Sequence, residues 1–183
     1  MGDVLILLER IGRILQSDGH SQGLKPTQWE ALRYFARANR FSRSPSALTA
    51  YLGMTKGTVS QTISALEKKG LIEKAIGDAD RRQIKIEVTA KGEKLIKRDP
   101  LEAVAAALSR LPASQRRELE GDLSQFLRAI LRQRGGRPFG ACKTCFYFRK
   151  NAEARAPHRC GLLLEPLSAT DSEMICVEHE EAA

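Results

Sequence analysis

The run LTAYLGMTKGTVSQTISALEKKGLIEKAIGDADRRQIKIEVTAKG, residues 48–92, constrains the fold of this chain more than any other stretch. Ser44 or Ser46 can cap a short helix whose first turn accepts Pro45, and Leu48 with Leu52 supplies its buried face. Gly53 stands where a left-handed stop is needed, and Thr55 opens a second helix that ends at Gly70. Val59, Ile63 and Leu66 recur at i, i+4 and i+7 and must face a core, which leaves Gly57, Ser60, Gln61, Ser64 and Lys68 outward. Two short helices joined by a glycine turn, the second with a small polar outer face, predict a helix-turn-helix. The β-branched runs LIEKAI and QIKIEVT then flank GDADRR, which predicts a hairpin, or wing, tipped by Arg81 and Arg82. A narrow minor groove attracts such guanidinium groups, while Asp80 shapes the tip.

The charge of the chain agrees with a polyanionic partner. Net charge is +8, but residues 1–136 hold 24 Lys and Arg against 15 Asp and Glu, whereas residues 137–183 hold 6 against 7. A basic body with a near-neutral tail suggests a polyanionic partner for the body alone, which with the predicted helix-turn-helix and wing makes double-stranded DNA the expected partner. Hydrophobic content of 42% and charged content of 28% are those of a soluble globular protein. The apolar run Val4–Leu8 is bounded by Asp3 and Glu9 and is too short for a signal peptide. No stretch approaches the ~20 apolar residues of a membrane span, so a cytoplasmic location is expected.

The flanking segments predict a mainly α fold. Val4, Leu7, Leu8, Ile11, Ile14 and Leu15 form a helical stripe, and SDGHSQGLKP reads as a loop. Thr27, three residues before Glu30, is the expected cap of a helix that buries Trp29, Leu32 and Tyr34 or Phe35. Leu101, Val104, Leu108 and Leu111 make another stripe. After Pro112, with Ser114 as the expected cap, so do Leu119, Leu123, Phe126, Leu127, Ile130 and Leu131. These three helices carry more apolar surface than one small winged domain can cover. A second copy is the economical cover, and its two-fold axis suits a pseudo-palindromic site. The expected division is a winged-helix and dimerisation domain at 1–133, a linker at 134–140 and a tail at 141–183.

From the helix-turn-helix through the Asp80-Arg81-Arg82 tip to the Thr89-x-x-Gly92 helix entry, the sequence resembles the MarR family of winged-helix transcription regulators, over roughly residues 4–133. The resemblance implies a homodimer, usually a repressor, that sets one recognition helix per protomer in the major groove and a wing arginine in the flanking minor groove. The expected DNA contacts are Thr55, Lys56, Thr58, Ser60, Gln61 and Ser64 in the helix, and Arg81 and Arg82 in the wing. Lys56 suits phosphate and Gln61 a bidentate contact to adenine. Such a regulator can also answer to a small-molecule effector bound between the dimer helices and the winged domain.

All the cysteine lies in the tail, spaced Cys142-x2-Cys145-x14-Cys160-x15-Cys176. Structural disulfides are rare in a cytoplasmic chain, and so short a tail needs something to order it. A metal centre held by the four cysteines supplies that order. One CxxC followed by two distant cysteines resembles the ligand spacing of high-potential iron–sulfur proteins, which implies a [4Fe–4S] cluster; zinc is the alternative. His158 and His179 stand beside the cysteines as competing ligands or as donors to sulfur. Phe146–Phe148, Leu162–Leu164 and Ile175 are the expected apolar jacket. A redox dithiol at Cys142 and Cys145 lacks the usual βαβ context and leaves two cysteines unexplained. Catalysis is not expected, because no phosphate-cradling glycine loop or Ser-His-Asp set is present and only three histidines serve the whole chain. The tail, one short linker beyond the last helix, is therefore read as a sensor of redox state, oxygen or iron that acts by shifting that helix.

Overall fold

The computed structural model describes residues 2–76, 84–152 and 157–182. Helix α1 (Gly2–Asp18) leads into α2 (Pro26–Arg37), α3 (Pro45–Leu52) and α4 (Lys56–Lys68). Strands β1 (Ile72–Ile76) and β2 (Ile84–Val88) pair antiparallel, with Ile72 opposite Val88 and Ile76 opposite Ile84. Then come α5 (Ala90–Ile96), α6 (Glu102–Ser109) and the long α7 (Ala113–Gln133).

Local chemistry sets most of these boundaries. The Ser44 hydroxyl accepts from the Ala47 N–H at 3.1 Å with Pro45 in the first turn of α3, and Gly53 ends that helix at φ +63°. Thr55 caps α4 through the Thr58 N–H, and Thr89 caps α5 through the Gly92 N–H, each at 3.2 Å. Two expected caps move. Helix α2 begins at Pro26, whose missing N–H costs nothing at the first position, and the Gln28 side chain accepts from the Lys25 N–H at 3.2 Å, so Thr27 lies inside the first turn. Ser114 is likewise inside α7, which follows Pro112 directly.

One core holds the winged helix together. Trp29, Leu32 and Phe35 of α2 meet Leu48, Ile63, Leu66 and, from the hairpin, Ile72 and Ile86, all of them buried. By contrast α1, α6 and α7 contain no buried residue at all. Leu7 is 56% exposed and Leu127 53%, so the described residues of the chain leave the apolar stripes of these helices largely uncovered.

The tail folds as two small sheets. Strand β3 (Gly140–Ala141) pairs with β7 (Ile175–Cys176), and β4 (Phe148–Lys150), β5 (His158–Cys160) and β6 (Pro166–Leu167) form an antiparallel triplet. A 3-10 turn spans Cys142–Thr144, and the short α8 (Ala169–Glu173) is capped by Ser168, whose hydroxyl accepts from the Asp171 N–H. The expected linker therefore gives way to strand at Gly140. Nor does the tail hang free. The Asn39 N–H donates to the Ile175 carbonyl at 2.9 Å, the Val177 N–H donates to the Ser42 hydroxyl at 2.9 Å, and Arg40 pairs with Asp171 at 2.9 Å. Phe139 packs edge-on against Tyr51 at 5.2 Å between ring centres.

Candidate nucleic-acid interface and cysteine tail

Helix α4 is buried along Val59, Thr62, Ile63 and Leu66. Its opposite face presents Lys56, Thr58, Ser60 and Gln61 to solvent, with Ser64 half-buried. The same four-residue period that seats the helix on the core thus aims the polar side chains away from it. Thr55 is exposed, but its hydroxyl is engaged with the Thr58 N–H and with the Thr58 hydroxyl at 3.0 Å, so it sets the start of the helix. The exposed Lys56, Thr58, Ser60 and Gln61, with the half-buried Ser64, form a surface of hydroxyl, amide and ammonium groups without a carboxylate, suited to base edges and phosphates. Glu67, the first acid along the helix, is held aside by Lys74 at 2.6 Å. Arg81 and Arg82 lie outside the described residues.

The hairpin is fastened to the turn between α2 and α3. The Ile86 N–H donates to the Arg43 carbonyl at 2.8 Å, and Arg43 forms an ion pair with Glu87 while its Nε donates to the Ala38 carbonyl at 3.0 Å. Bidentate hydrogen bonds from Arg33 to Asp99, at 2.6 and 2.7 Å, tie α2 to the segment after α5.

In the tail, Cys142 and Cys176 are buried and meet each other, and Cys160 packs at the edge of the same cluster with Phe41, Phe148 and Leu167. The hydrogen bond to Cys176, together with burial, pushes the Cys142 thiol far up. Accepting that bond pulls Cys176 down to about 6 against its burial, with Asn39, the Glu178 backbone and Ser42 adding to the effect. Nitrogen donors reach the other sulfurs as well: Asn39 Nδ2 to Cys142 Sγ at 3.2 Å, the Leu163 N–H to Cys160 Sγ at 3.4 Å, and the Glu180 N–H to Cys145 Sγ at 3.5 Å. The four thiols are not drawn into one cage. Among the described residues no group of three or more His, Cys, Asp and Glu side chains is arranged to hold a metal ion.

The histidines differ in their surroundings. His179 is buried against Gly140 with Nε2 at 3.0 Å from the Thr144 hydroxyl; burial lowers its pKa, and Glu181 opposes that shift. The His158 ring lies on Phe148 at 4.8 Å. The Nδ1 atoms of both are buried with no hydrogen-bond partner. The expected jacket is corrected in part. Phe146 and Leu162–Leu164 are exposed in the segments between the strands, and the apolar cover comes from Phe41, Phe148 and Leu167. The sequence reading missed Asn39 and Ser42, two fully buried polar residues just beyond α2. The polar letters of ARANRFSRSP at a helix end are the only local signal, and they read equally well as an ordinary loop.

Residues 22–83 match the model of the MarR family. The transcriptional repressor MprA of Escherichia coli (strain K12) is 31% identical over 91 residues, 50% of this chain and 49% of that protein, so the chain spans about half the length of the curated relatives it matches. A MarR transcriptional regulator from Methanosarcina mazei Go1 superposes with a TM-score of 0.56 at 26% identity, covering 72% of this chain and 96% of that one. The S. aureus MepR–DNA complex shares the fold, with a TM-score of 0.55, 18% identity and coverage of 69% and 93%. No helix among the described residues is long and apolar enough to cross a membrane. With its recognition-type helix, its hairpin and these likenesses, the segment 22–83 has a winged helix-turn-helix fold and is similar to that of the MarR family.

Proposed function

We propose that this protein is a homodimeric transcriptional regulator, acting as a repressor, that binds a pseudo-palindromic operator through α4 and the hairpin. The observation that carries the reading is the outward face of α4, polar and free of acids from Lys56 to Ser64 on a helix whose other face is wholly in the core. Unpartnered apolar stripes on α1, α6 and α7 support the dimer. Duplex DNA enriched from random sequence by the purified protein should contain an inverted repeat. Gln61→Ala should bind that duplex about 10-fold more weakly while binding unrelated DNA as before, the scale of one lost bidentate base contact. Enrichment of no sequence at all overturns the reading.

The tail is read as a sensory metal centre ligated by Cys142, Cys145, Cys160 and Cys176, a [4Fe–4S] cluster or, alternatively, zinc. The nitrogen donors directed at the sulfurs support it, since such donors stabilise ligating thiolates. A bound centre supplies a cross-link among the four cysteines and a response to redox state, oxygen or iron. Native mass spectrometry of protein purified without oxygen separates the two metals by mass, and a chain with neither overturns the centre.

A second reading has its own observation. A cavity of about 700 Å³ is lined by Lys69, Lys91, Lys94, Lys97 and Arg98 over Leu24, Leu71 and Leu95. Cations around an apolar floor suit an organic anion such as an aromatic acid as effector. DNA release by such an acid, with no response to oxidant or chelator, would favour this route over the tail.

A further inference from the structure

The lysine-lined cavity opens where three parts of the fold meet: the turn from α1 to α2, the end of α4, and α5. Two ammonium groups tie these parts together at its rim. Lys69 Nζ donates to the Gly23 carbonyl and Lys91 Nζ to the Lys69 carbonyl, each at 2.6 Å. Lys69 is the C-cap of the recognition-type helix, so both bonds converge on the helix end where unpaired carbonyls gather negative charge. The turn held by Lys69 is tight, with Gln22 and Gly23 both in left-handed backbone at φ +52° and +72°. Next to them, the Ser21 carbonyl accepts from the indole Nε1 of Trp29, the single tryptophan of the chain, at 3.3 Å.

Charge around this opening is one-sided. Lys91, Lys94 and Arg98 follow one another at three and four residues along α5 and the turn after it, a spacing at which like charges repel. With Lys69 and Lys97 the cations number five, the described lining holds no carboxylate, and none of the five forms an ion pair among the described residues. Such a cluster works against the fold that carries it, which is the mark of a site whose counter-charge comes from outside. A monocarboxylate would answer only one of the five. The floor adds a second requirement: Leu24 and Leu71 are buried and Leu95 half-buried, which gives an apolar group a place to rest.

We propose that this cavity binds an amphiphile with a di- or polyphosphate head, its apolar part on the three leucines and its phosphates among the lysines and Arg98. This rests on the reading of the cavity as an effector site and narrows the effector from any organic acid to a phosphorylated one. Phosphate oxygens accept from an ammonium more strongly than a neutral carbonyl does. Bound there, they draw Lys69 Nζ from Gly23 and Lys91 Nζ from Lys69. The α1–α2 turn is then released and α5 is uncoupled from the end of α4. Prenyl diphosphates and acyl thioesters of coenzyme A both carry this chemistry.

Isothermal titration calorimetry of the full-length protein tests the assignment with geranyl diphosphate, octanoyl-coenzyme A, octanoate, benzoate and inorganic pyrophosphate. One of the first two should bind at least tenfold tighter than either carboxylate and than pyrophosphate, and which one it is names the source. Lys94→Gln combined with Arg98→Gln alters two exposed side chains that take no part in the ammonium bonds. That double variant should weaken the probe at least tenfold with an unchanged thermal melt, whereas Lys56→Gln, on the outward face of α4, should leave the probe's affinity within twofold. Emission from Trp29 should change when the probe is added to wild type, and by less than half as much in Lys69→Met, where the bond to Gly23 is already lost. A carboxylate that binds as tightly as the phosphorylated probes overturns the proposal and leaves the cavity a site for simple acids. Pyrophosphate binding as tightly as the amphiphiles overturns it too, since the leucine floor then contributes nothing. A probe weakened by Lys56→Gln and not by the double variant is held on the face of α4, and a bound probe that leaves Trp29 unaltered does not engage the turn; either result overturns the assignment. Binding of none of the five, benzoate included, refutes the effector reading of the cavity along with it.

Discussion

Gly92 shows how much one absent side chain can matter. A Cβ at this position would lie 2.2 Å from the Leu71 carbonyl oxygen and 2.7 Å from Val88 Cγ1, so the first turn of α5 packs directly on the backbone entering the hairpin. Gly92→Ala should lower stability by about 2 kcal/mol, the scale of overpacking in a core, measurable as a lower urea midpoint. Gly140 has the same relation to the tail, since a Cβ there would meet the His179 ring at 2.6 Å. Gly140→Ala should push His179 outward and loosen the pairing of β3 with β7, seen as faster exchange of the Cys176 amide. Asp99 gives a pH signature. Burial raises its pKa, but the hydrogen bonds from Arg33 and the Leu101 N–H, with the Arg33 charge, outweigh burial and hold the carboxyl below its ordinary 3.8. A carboxylate depressed in the folded state stabilises fully above its unfolded pKa, and that contribution disappears as the pH falls through the lowered value. Asp99→Asn should therefore cost about 2 kcal/mol at pH 7 and flatten the acid limb of the stability curve below pH 4, measured by thermal melts across pH.

At the scale of elements, the helix-turn-helix was legible because its signals are local. Ser44, Gly53, Thr55 and Thr89 act within four residues of themselves, and the spacing of Val59, Ile63 and Leu66 alone orients α4. Thr27 and Ser114 misled because a proline nearby already supplied the helix start, and a proline competes well for that place. What could not be read were contacts between distant segments. Asn39 and Cys142 are 103 positions apart, and neither position carries a pattern that names the other. For the same reason the apolar cover of the cysteines was assigned to neighbours in sequence, Phe146 and Leu162–Leu164, when Phe41 supplies part of it from across the chain.

For the molecule as a whole, the proposed dimer rests on the three helices without buried residues. Phe126 and Leu123 on α7, 44% and 46% exposed, lie on the stripe that a second copy would cover. Phe126→Glu should convert the dimer to monomer at micromolar concentration by analytical ultracentrifugation, and with it abolish binding to an inverted repeat while leaving the far-ultraviolet circular dichroism of the winged helix unchanged. The uneven charge belongs to this scale too. With the excess of Lys and Arg confined to residues 1–136, a chain lacking residues 137–183 should show the same steep salt dependence of non-specific DNA binding as the full protein, because that slope counts phosphate contacts.

The bond from Asn39 to Cys142 also orders events in time. A ribosome makes α2 long before it makes the tail, so Asn39 and Ser42, both fully buried in the finished fold, spend most of synthesis uncovered. Closing a loop of this length is slow compared with forming the helices it joins. The winged helix therefore passes through a state in which the turn between α2 and α3 is open to water and to other chains, and that interval, rather than the mature fold, is where misassembly has its opening.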